Sequence, residues 1–327
     1  MFARVSMKGA SASSMSLCRK VAVTLTVSAS ALLLVSALGR WFWIFDLLTH
    51  FRPHLAAALL LSSIAALLCG ERRIAIVGLL LVIAAVMPIV GYTRARPINP
   101  QPSAPEFRLI TFNIWHHNAE TARIASFLEH SEADVVVIQE ATPMHARLLR
   151  QQLASYPYSM LDGTLDDGTI IFSRWPIEAA QYVALAEGGA RAASINVRWR
   201  DHAIQVMGVH LHWPLGAQVS RFRNAELVGL AALAKGVELH PLLVAGDFNI
   251  TPWSSFYRQF VRDSELSDAD LGQRLQASWP SILGPFGLRI DHCLHSEHWD
   301  VIATRTGPEL GSDHLPVIVD LRLRAAS

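Results

Sequence analysis

Cysteine is scarce in this sequence, and the common zinc-binding spacings are missing. Only three cysteines occur among 327 residues, and they are Cys18, Cys69 and Cys293. They lie too far apart for a CxxC metal pair and indicate no disulfide framework. No HExxH sequence is present either, so zinc is the weaker choice for a metal site. The absence of a GxSxG elbow and of a P-loop argues against acyl transfer and nucleoside-triphosphate chemistry.

Lysine is almost absent from the second part of the chain, where Lys235 is the only one after residue 100. Residues 1–100 contain ten Lys/Arg and two Asp/Glu, a balance of +8, whereas residues 101–327 contain eighteen and twenty-five, a balance of −7. The net charge of +1 therefore hides a basic part and an acidic part. Nucleic-acid binding gains affinity from Lys and Arg that neutralise phosphates, so the acidic part is a poor generic nucleic-acid binder.

Long apolar runs without a charged residue fill the first hundred positions. They cover residues 21–39, 53–70 and 74–93. About twenty apolar residues in a helix cross a hydrocarbon core of roughly 30 Å. The runs therefore predict a membrane anchor over residues 1–93 with about three transmembrane helices. A short buried helix is the alternative for the second run, which is the shortest of the three.

The Lys and Arg residues beside these runs predict an orientation. Six lie on the side of the N-terminus and of the loop between the second and third runs, and four lie on the other side. Under the positive-inside rule this bias favours a cytoplasmic N-terminus. The sequence thus predicts a multi-pass protein of a bacterial inner membrane, with its C-terminal domain outside the cytoplasm.

A proline-rich linker is predicted at residues 94–106, followed by a catalytic domain at residues 107–324. In that domain short apolar runs predict strands and amphipathic stretches predict helices. The predicted strands are 107–112, 134–139, 169–173, 194–199, 203–209, 242–245, 289–294 and 316–323. The predicted helices are 119–130, 218–235, one that starts at Thr142-Pro143 and one capped by Thr251-Pro252. Because strands outnumber helices and some neighbour each other as hairpins, the pattern indicates a mixed α/β sandwich.

Acidic, amide and imidazole side chains recur where the predicted strands end. They are Asn113, Glu140, His210, His212, Asp247, Asn249, Asp291, His292, Asp313 and His314. One such residue alone is more often a turn former or helix cap, but the whole set indicates a site. Carboxylate and amide oxygens suit Mg²⁺ or Mn²⁺. Together with imidazoles they supply what phosphate-ester hydrolysis needs, without a covalent nucleophile.

Seven short motifs carry a resemblance to a known family. They are TFN (111–113), IQE (138–140), SRWPI (173–177), VHLH (209–212), GDFN (246–249), IDH (290–292) and SDHLPV (312–317). In this order, from about Arg108 to Leu323, the sequence resembles the endonuclease/exonuclease/phosphatase family. The resemblance implies a DNase I-like fold, which is an α/β four-layer sandwich of two mixed β-sheets flanked by helices. Here that domain would follow three transmembrane helices.

The resemblance also implies a metal site and a water-activating group. Glu140 would be the main ligand of Mg²⁺ or Mn²⁺, assisted by Asn113 and Asp313. Asp247 would activate or orient the attacking water, and Asn249 would hold the developing phosphorane oxygen.

The imidazoles would act on the phosphate. His314 would contact it as an imidazolium oriented by Asp291, and His210 would be the second phosphate-side imidazole. His210 is preferred to His212 because the family's Thr-His-Leu pattern aligns with residues 209–211. Abasic-site enzymes have tyrosine where this chain has His292, which speaks against an abasic-site substrate.

Three further residues are candidates for substrate contact, and each has a structural alternative. His212 shares a strand face with His210 by alternation and stands second to it. Arg174 could reach phosphate, but a salt bridge at a strand end is the alternative. Trp253 could line the mouth of the site or pack as an interior aromatic.

The sequence therefore predicts a membrane-tethered, divalent-metal-dependent hydrolase of phosphate esters. The alternative is a non-catalytic binding or scaffold protein with the same fold. That alternative predicts loss of at least one of Glu140, Asp247, Asp313 and His314, and all four are present. The tether and the acidic domain favour a lipid or small phosphodiester over nucleic acid, and no protein partner is implied.

Overall fold

The computed structural model describes residues 8–94, 106–161, 168–237, 240–273 and 275–324, with the backbone alone for residues 8–16. The chain divides into two compact units, Met1–Tyr92 and Thr93–Ser327. The predicted linker at 94–106 falls almost entirely on residues 95–105, which lie outside the described residues.

The first unit is helical. Its helices are α1 (Lys8–Ser36), α2 (Trp43–Thr49), α3 (Arg52–Leu68) and α4 (Arg72–Thr93). Two segments are long and apolar enough to cross a membrane, Leu17–Ser36 and Arg72–Thr93. The second predicted run forms α3, whose 17 residues rise about 26 Å, less than the roughly 30 Å of a hydrocarbon core. It reaches a third span only if α2 and α3, which are bent by 69° to each other, are counted together.

Gly78 explains how closely these helices approach. A Cβ atom at Gly78 would lie 2.1 Å from Ser63 Oγ on α3 and 3.0 Å from Thr26 Cγ2 on α1. Small residues at such crossings let helix backbones pack tightly, as helices in lipid commonly do.

The second unit contains two six-stranded sheets. The strands are β1 (Glu106–Asn113), β2 (Val135–Ala141), β3 (Tyr158–Met160), β4 (Gly168–Ser173), β5 (Ile177–Ala184), β6 (Arg191–Trp199), β7 (His202–His210), β8 (Leu242–Asp247), β9 (Ser267–Asp268), β10 (Asp291–His295), β11 (Trp299–Thr306) and β12 (Val317–Leu323). The first sheet has the order β11-β12-β1-β2-β4-β3, and the second has the order β5-β6-β7-β8-β10-β9. The pairs β1–β2 and β7–β8 are parallel and the other named pairs are antiparallel, so both sheets are mixed.

Helices cover the outer face of each sheet. They are α5 (Thr121–His130) and α6 (Pro143–Gln152) on the first sheet, and α7 (Ala217–Lys235) and α8 (Ser255–Ser264) on the second. The inner faces of the two sheets share an apolar core, in which Phe107 meets Trp199 edge-to-face at 5.3 Å. At Gly208 the sheets approach so closely that a Cβ would lie 2.6 Å from Val137 Cγ1. The predicted sandwich of two mixed sheets flanked by helices is confirmed.

Some predicted elements need correction. The helix predicted to start at Thr251-Pro252 begins at Ser255, because the hydroxyl of Ser254 accepts the hydrogen bond from Phe256 N and acts as the N-cap. Strands β3, β5, β9 and β11 were not predicted. β3, β5, β9 and β11 all lie at sheet edges, and β5 is mostly exposed, so they lack the strong burial pattern that marks a central strand.

Candidate active site

The predicted site residues come together because of strand direction. Asn113 ends β1 and Glu140 lies one residue before the end of its parallel neighbour β2. His210 ends β7 and is paired in register with Asp247, which ends the parallel strand β8. The carboxyl ends of parallel strands lie at the same edge of a sheet, so each sheet brings two site residues to one edge.

Antiparallel neighbours bring in the remaining groups. Asp291 begins β10 and is paired with Asp247. His314 lies just before β12, whose Val317 is paired with Thr111 near the end of β1. An antiparallel strand starts where its neighbour ends, so both residues reach the same edge from distant parts of the chain.

One side of the site is built around two carboxylates that share a donor. Asn113 Nδ2 donates to Glu140 Oε1 at 2.9 Å and to Asp247 Oδ2 at 3.0 Å. His210 Nε2 lies 3.8 Å from each of these carboxylates. Burial alone would raise the pKa of Glu140, but hydrogen bonds from Asn113 and His116 lower it to about 2. Glu140 is therefore an anion over the working pH range of most enzymes.

The other side of the site is an imidazole held between two acids. His314 Nδ1 lies 2.8 Å from Asp291 Oδ2, and His314 Nε2 lies 3.7 Å from Asp247 Oδ2. Burial would lower the pKa of His314, but the charges of Asp291 and Asp247 outweigh it and raise that pKa to about 10. His314 is consequently an imidazolium. Burial and then Asp291 raise the pKa of Asp247, opposed by His314 and His210.

A tight turn holds Asp247 and Asn249. Gly246 has φ +155°, and a Cβ there would lie 1.9 Å from the carbonyl oxygen of Val209, so only glycine fits. Asn249 adopts the left-handed region at φ 51° and donates its backbone N–H to Asp247 Oδ1 at 2.8 Å. Its side-chain Nδ2 donates to the carbonyl of Leu211 at 2.9 Å.

The donor set fits a hard cation on the Glu140 side. Asp247, Asp291 and His314 can bring one ligand atom each to within 4.8 Å of one another, but an imidazolium cannot ligate a cation. Glu140 and Asp247 instead offer carboxylate oxygens separated by a single amide donor. Buried Asp291 Oδ1 has no hydrogen-bond partner among the described residues, so the site keeps an excess of acceptor oxygens. Such a set suits Mg²⁺ or Mn²⁺.

The third predicted metal ligand lies beside this group. Asp313 precedes His314, and its Oδ2 accepts a hydrogen bond of 2.9 Å from Trp279 Nε1. The hydroxyl of Ser312 donates to the carbonyl of Asn113 at 2.8 Å and joins the two segments.

The three candidates for substrate contact fall in different places. His212 lies two residues beyond β7, with Nδ1 2.5 Å from Glu226 Oε1 on α7 and its side chain 33% exposed, so it lies at the rim. The assignment of Arg174 is corrected: it follows Ser173, which pairs with Val135 at the far end of β2, while Gly168 pairs with Ala141 beside Glu140. Its guanidinium lies 5.3 Å from the ring centroid of Tyr156 and serves packing.

Trp253 is also corrected. Its side chain is 4% exposed, so it packs in the interior and offers a substrate almost no surface.

The sequence prediction missed His116. Its Nδ1 lies 2.7 Å from Glu140 Oε2, and its backbone N–H donates to the same oxygen at 3.1 Å. The turn that places it is closed by Trp115 N, which donates to Asn113 Oδ1 at 3.0 Å. Its position three residues after Asn113 was the only signal in the sequence.

His292 belongs to a separate group of buried charges, here called the Arg289 cluster. The group consists of Arg289, Asp268, Asp270, His292 and Tyr257. Arg289 contacts Asp270 and approaches Asp268 at 3.8 Å, and Tyr257 donates to Asp268. His292 is fully buried, with Nδ1 3.3 Å from Asp268 Oδ2 and Nε2 2.9 Å from the carbonyl of Ile250. It supports the turn that holds Asn249 and is not a substrate contact.

Comparisons with known proteins agree with this geometry. The sequence profile of the Endonuclease/Exonuclease/phosphatase family matches residues 110–314. The chain belongs to this family, as the motifs indicated. Comparison with curated protein sequences gives no match.

Solved structures share the fold at low identity. One is an endonuclease/exonuclease/phosphatase from Beutenbergia cavernae, with a TM-score of 0.56 and 22% identity over 67% of this chain and 72% of that one. Another is sphingomyelinase C from Streptomyces griseocarneus, with a TM-score of 0.52 and 20% identity over 66% and 99%. A third is D. rerio TDP2 complexed with a single-strand DNA product, with a TM-score of 0.55 and 18% identity over 66% and 99%. The DNase I-like fold is thereby confirmed.

Proposed function

We propose that this protein is a divalent-metal-dependent hydrolase of phosphate esters, in which water attacks phosphorus in line with the leaving group. The observation that carries the proposal is the meeting of Glu140, Asp247 and His314 around Asn113 and His210 at one edge of both sheets. Anionic oxygens beside a fixed imidazolium are the groups that phosphoryl transfer from an ester to water requires.

Glu140 and Asn113 would hold Mg²⁺ or Mn²⁺, with Asp313 assisting. The bound cation would polarise a phosphoryl oxygen and neutralise charge on the leaving oxygen. Asn113 points its Nδ2 at both carboxylates, so ligation would require its Oδ1 to turn toward the cation. The excess of carboxylates over cationic side chains supports a cation at this place.

The chain's own residues would divide the remaining work. Asp247 would orient the attacking water and accept its proton. His314, held by Asp291 at 2.8 Å, would donate to the phosphate and balance its growing charge. His210 would contact the phosphate from the second sheet, and Asn249 would turn its amide from Leu211 toward the phosphorane oxygen.

The substrate would be a lipid or small phosphodiester in preference to nucleic acid. Solved structures of this fold include a sphingomyelinase and a TDP2 bound to a DNA product, so the fold alone does not distinguish a lipid substrate from a nucleic-acid substrate. The balance of −7 over residues 101–327 and the single lysine there argue against generic binding to a nucleic-acid backbone. We also propose that the apolar helices tether the hydrolase to a bacterial inner membrane, with the catalytic domain outside the cytoplasm.

The test is hydrolysis of bis-p-nitrophenyl phosphate by the full chain in detergent. We expect turnover with Mg²⁺ or Mn²⁺, loss with EDTA and recovery when the metal is restored. A folded protein without metal-dependent turnover on mono- or diesters would instead favour the non-catalytic scaffold.

A further inference from the structure

A segment without charge borders the candidate active site. Residues 275–288 contain no Asp, Glu, Lys or Arg, although residues 101–327 contain 43 charged residues. Its centre is a short 3₁₀ segment, Ser281–Phe286, in which no residue is buried. Ile282 is 90% exposed, Phe286 72% and Leu283 50%. Such exposure places three large apolar side chains in water unless another surface covers them.

This segment, here called the apolar rim segment, is fixed to the site. Trp279 Nε1 donates to Asp313 Oδ2, and Ser281 N donates to the carbonyl of Asp313 at 2.7 Å. The hydroxyl of Ser281 donates to the carbonyl of Ser312 at 2.9 Å. Asp313 is the neighbour of His314 in the sequence. These hydrogen bonds therefore fix the exposed side chains next to the segment that carries His314, the proposed phosphate contact.

A second apolar loop lies at the same edge of the sheets. Trp213 is 58% exposed and Leu215 is 54% exposed, and both follow His210 and His212 directly after β7. Most of the exposed large apolar side chains in the described part of the second unit lie on loops of this edge. Concentration at the mouth of a site, rather than random scatter, indicates a contact surface.

The residue types on this surface indicate what it contacts, a nucleic acid or a lipid bilayer. A nucleic acid would need Lys or Arg for its phosphates, and residues 275–288 have none. Base stacking needs aromatic faces, and Phe286 and Trp213 offer two, but the other three exposed side chains, Ile282, Leu283 and Leu215, are aliphatic and cannot stack on bases. Exposed aliphatic side chains mixed with Trp and Phe are typical of contacts with the polar–apolar boundary of a bilayer. The same chain carries two helices apolar enough to cross one.

We infer that the apolar rim segment and the 213–215 loop enter a lipid bilayer beside the active site, and that the substrate is a membrane lipid whose phosphate ester lies at the bilayer surface. This inference rests on the proposed phosphoesterase function. The exposed side chains would hold the mouth of the site against the headgroup layer. The lipid would then not have to leave the bilayer to reach Glu140 and His314.

Site-directed fluorescence tests the inference. The full chain, with Cys18→Ser and Cys69→Ser, receives an environment-sensitive fluorophore at Ile282→Cys. Cys293 is fully buried, and burial raises the pKa of its thiol, so it stays unlabelled in the folded protein. The matched control is Val228→Cys, a 64% exposed apolar position on α7.

Both proteins are reconstituted into vesicles of phosphatidylethanolamine and phosphatidylglycerol with spin-labelled acyl chains. We expect quenching at position 282 to exceed quenching at position 228 by about threefold or more. Equal quenching at the two positions would overturn the inference. An emission change with a single-stranded oligonucleotide, and none with vesicles, would overturn it as well.

Activity separates this inference from the function on which it rests. Bis-p-nitrophenyl phosphate turnover is measured in the same vesicles, so loss of the proposed function is detected independently of quenching. In the variant Ile282→Ser/Leu283→Ser/Phe286→Ser, phosphorus NMR follows headgroup release from the vesicle lipids. We expect the ratio of headgroup release to soluble-diester turnover to fall about tenfold or more, because only the lipid must be met at the interface. An unchanged ratio with substantial lipid turnover would contradict the inference.

Discussion

Two groups of buried charge lie on either side of the first residues of β10, and they differ in balance. The candidate active site sets Glu140, Asp247 and Asp291 against the imidazolium of His314. The Arg289 cluster surrounds its two aspartates with a guanidinium, a phenol and an imidazole. Asp291 and His292 are neighbours in sequence, and alternation along the strand sends one to each group. In the candidate active site the carboxylates outnumber the cationic side chains, which favours binding of a cation, whereas both aspartates of the Arg289 cluster contact the guanidinium of Arg289, which indicates a role in the fold.

The largest expected effect comes from the unbalanced group. Asp247→Ala should lower kcat/KM on bis-p-nitrophenyl phosphate by about 10²-fold or more, since it removes the acid proposed to orient the attacking water. Stability should hold or rise, because a buried carboxyl beside Asp291 is lost. The matched control is Asp201→Ala, an exposed acid in the turn between β6 and β7. A loss below tenfold would mean that another residue accepts the proton.

The Arg289 cluster should respond in the opposite way. Arg289→Met leaves Asp268 and Asp270 without their guanidinium and should lower the free energy of unfolding by about 3–5 kcal/mol. Activity per folded molecule should stay within a few-fold of the parent. Arg198→Met is the control, since the exposed Arg198–Glu178 pair should contribute less than about 1 kcal/mol. Thermal unfolding of the full chain followed by tryptophan fluorescence measures both, and equal losses would remove the distinction.

The pH dependence of stability tests the charge of His314 in the candidate active site. The folded pKa of His314 is about 10, above the unfolded value near 6.5, so its protonation stabilises the fold fully below about pH 6.5. In metal-free protein that contribution should fade as the pH rises through 10. The variant His314→Gln has no imidazole to titrate at this position and lacks this pH-dependent contribution to stability. The difference in melting temperature between parent and variant should therefore shrink from pH 6.5 to 10. A constant difference would show that the imidazolium is not specially stabilised.

The smallest effect concerns His116, which touches Glu140 from the exposed side. His116→Ala removes the partner that orients this carboxylate and should weaken the apparent affinity for Mg²⁺ by roughly tenfold. At saturating metal, kcat should change only a few-fold. His117→Ala removes a neighbouring ring without that contact and should leave metal dependence as it was. A metal titration of activity that is identical for both variants would assign His116 to the rim alone.

Strand ends were predictable because polar groups followed apolar runs. Asn113, Glu140, His210 and Asp247 were found in this way, and parallel pairing explains why they meet. A short motif does not show in which direction its strand runs within the sheet, and for this reason the position of Arg174 was predicted wrongly. It belongs to a matching SRWPI segment, but β4 runs antiparallel to β2, so the end of β4 lies at the opposite edge.

Turn geometry and side-chain burial also could not be predicted from the sequence. His116 depends on a turn in which Trp115 has φ 61°, and no pattern in the sequence announces that conformation. Trp253 follows the Thr251-Pro252 pair that was predicted to cap a helix. The cap lies instead at Ser254, and Trp253 is buried in the interior. The edge strand β5 is mostly exposed, so its sequence lacks the continuous apolar run by which the central strands were predicted.

The position of β12 makes the candidate site depend on the pairing register of that strand. β12 lies between β11 and β1. His314 lies three residues before Val317, which pairs with Thr111 on β1. A slip of two residues would keep the apolar face of β12 inward, yet it would displace the segment before the strand by about 7 Å. His314 would then no longer lie between Asp291 and Asp247, so the correct pairing of one strand decides whether the candidate site is complete.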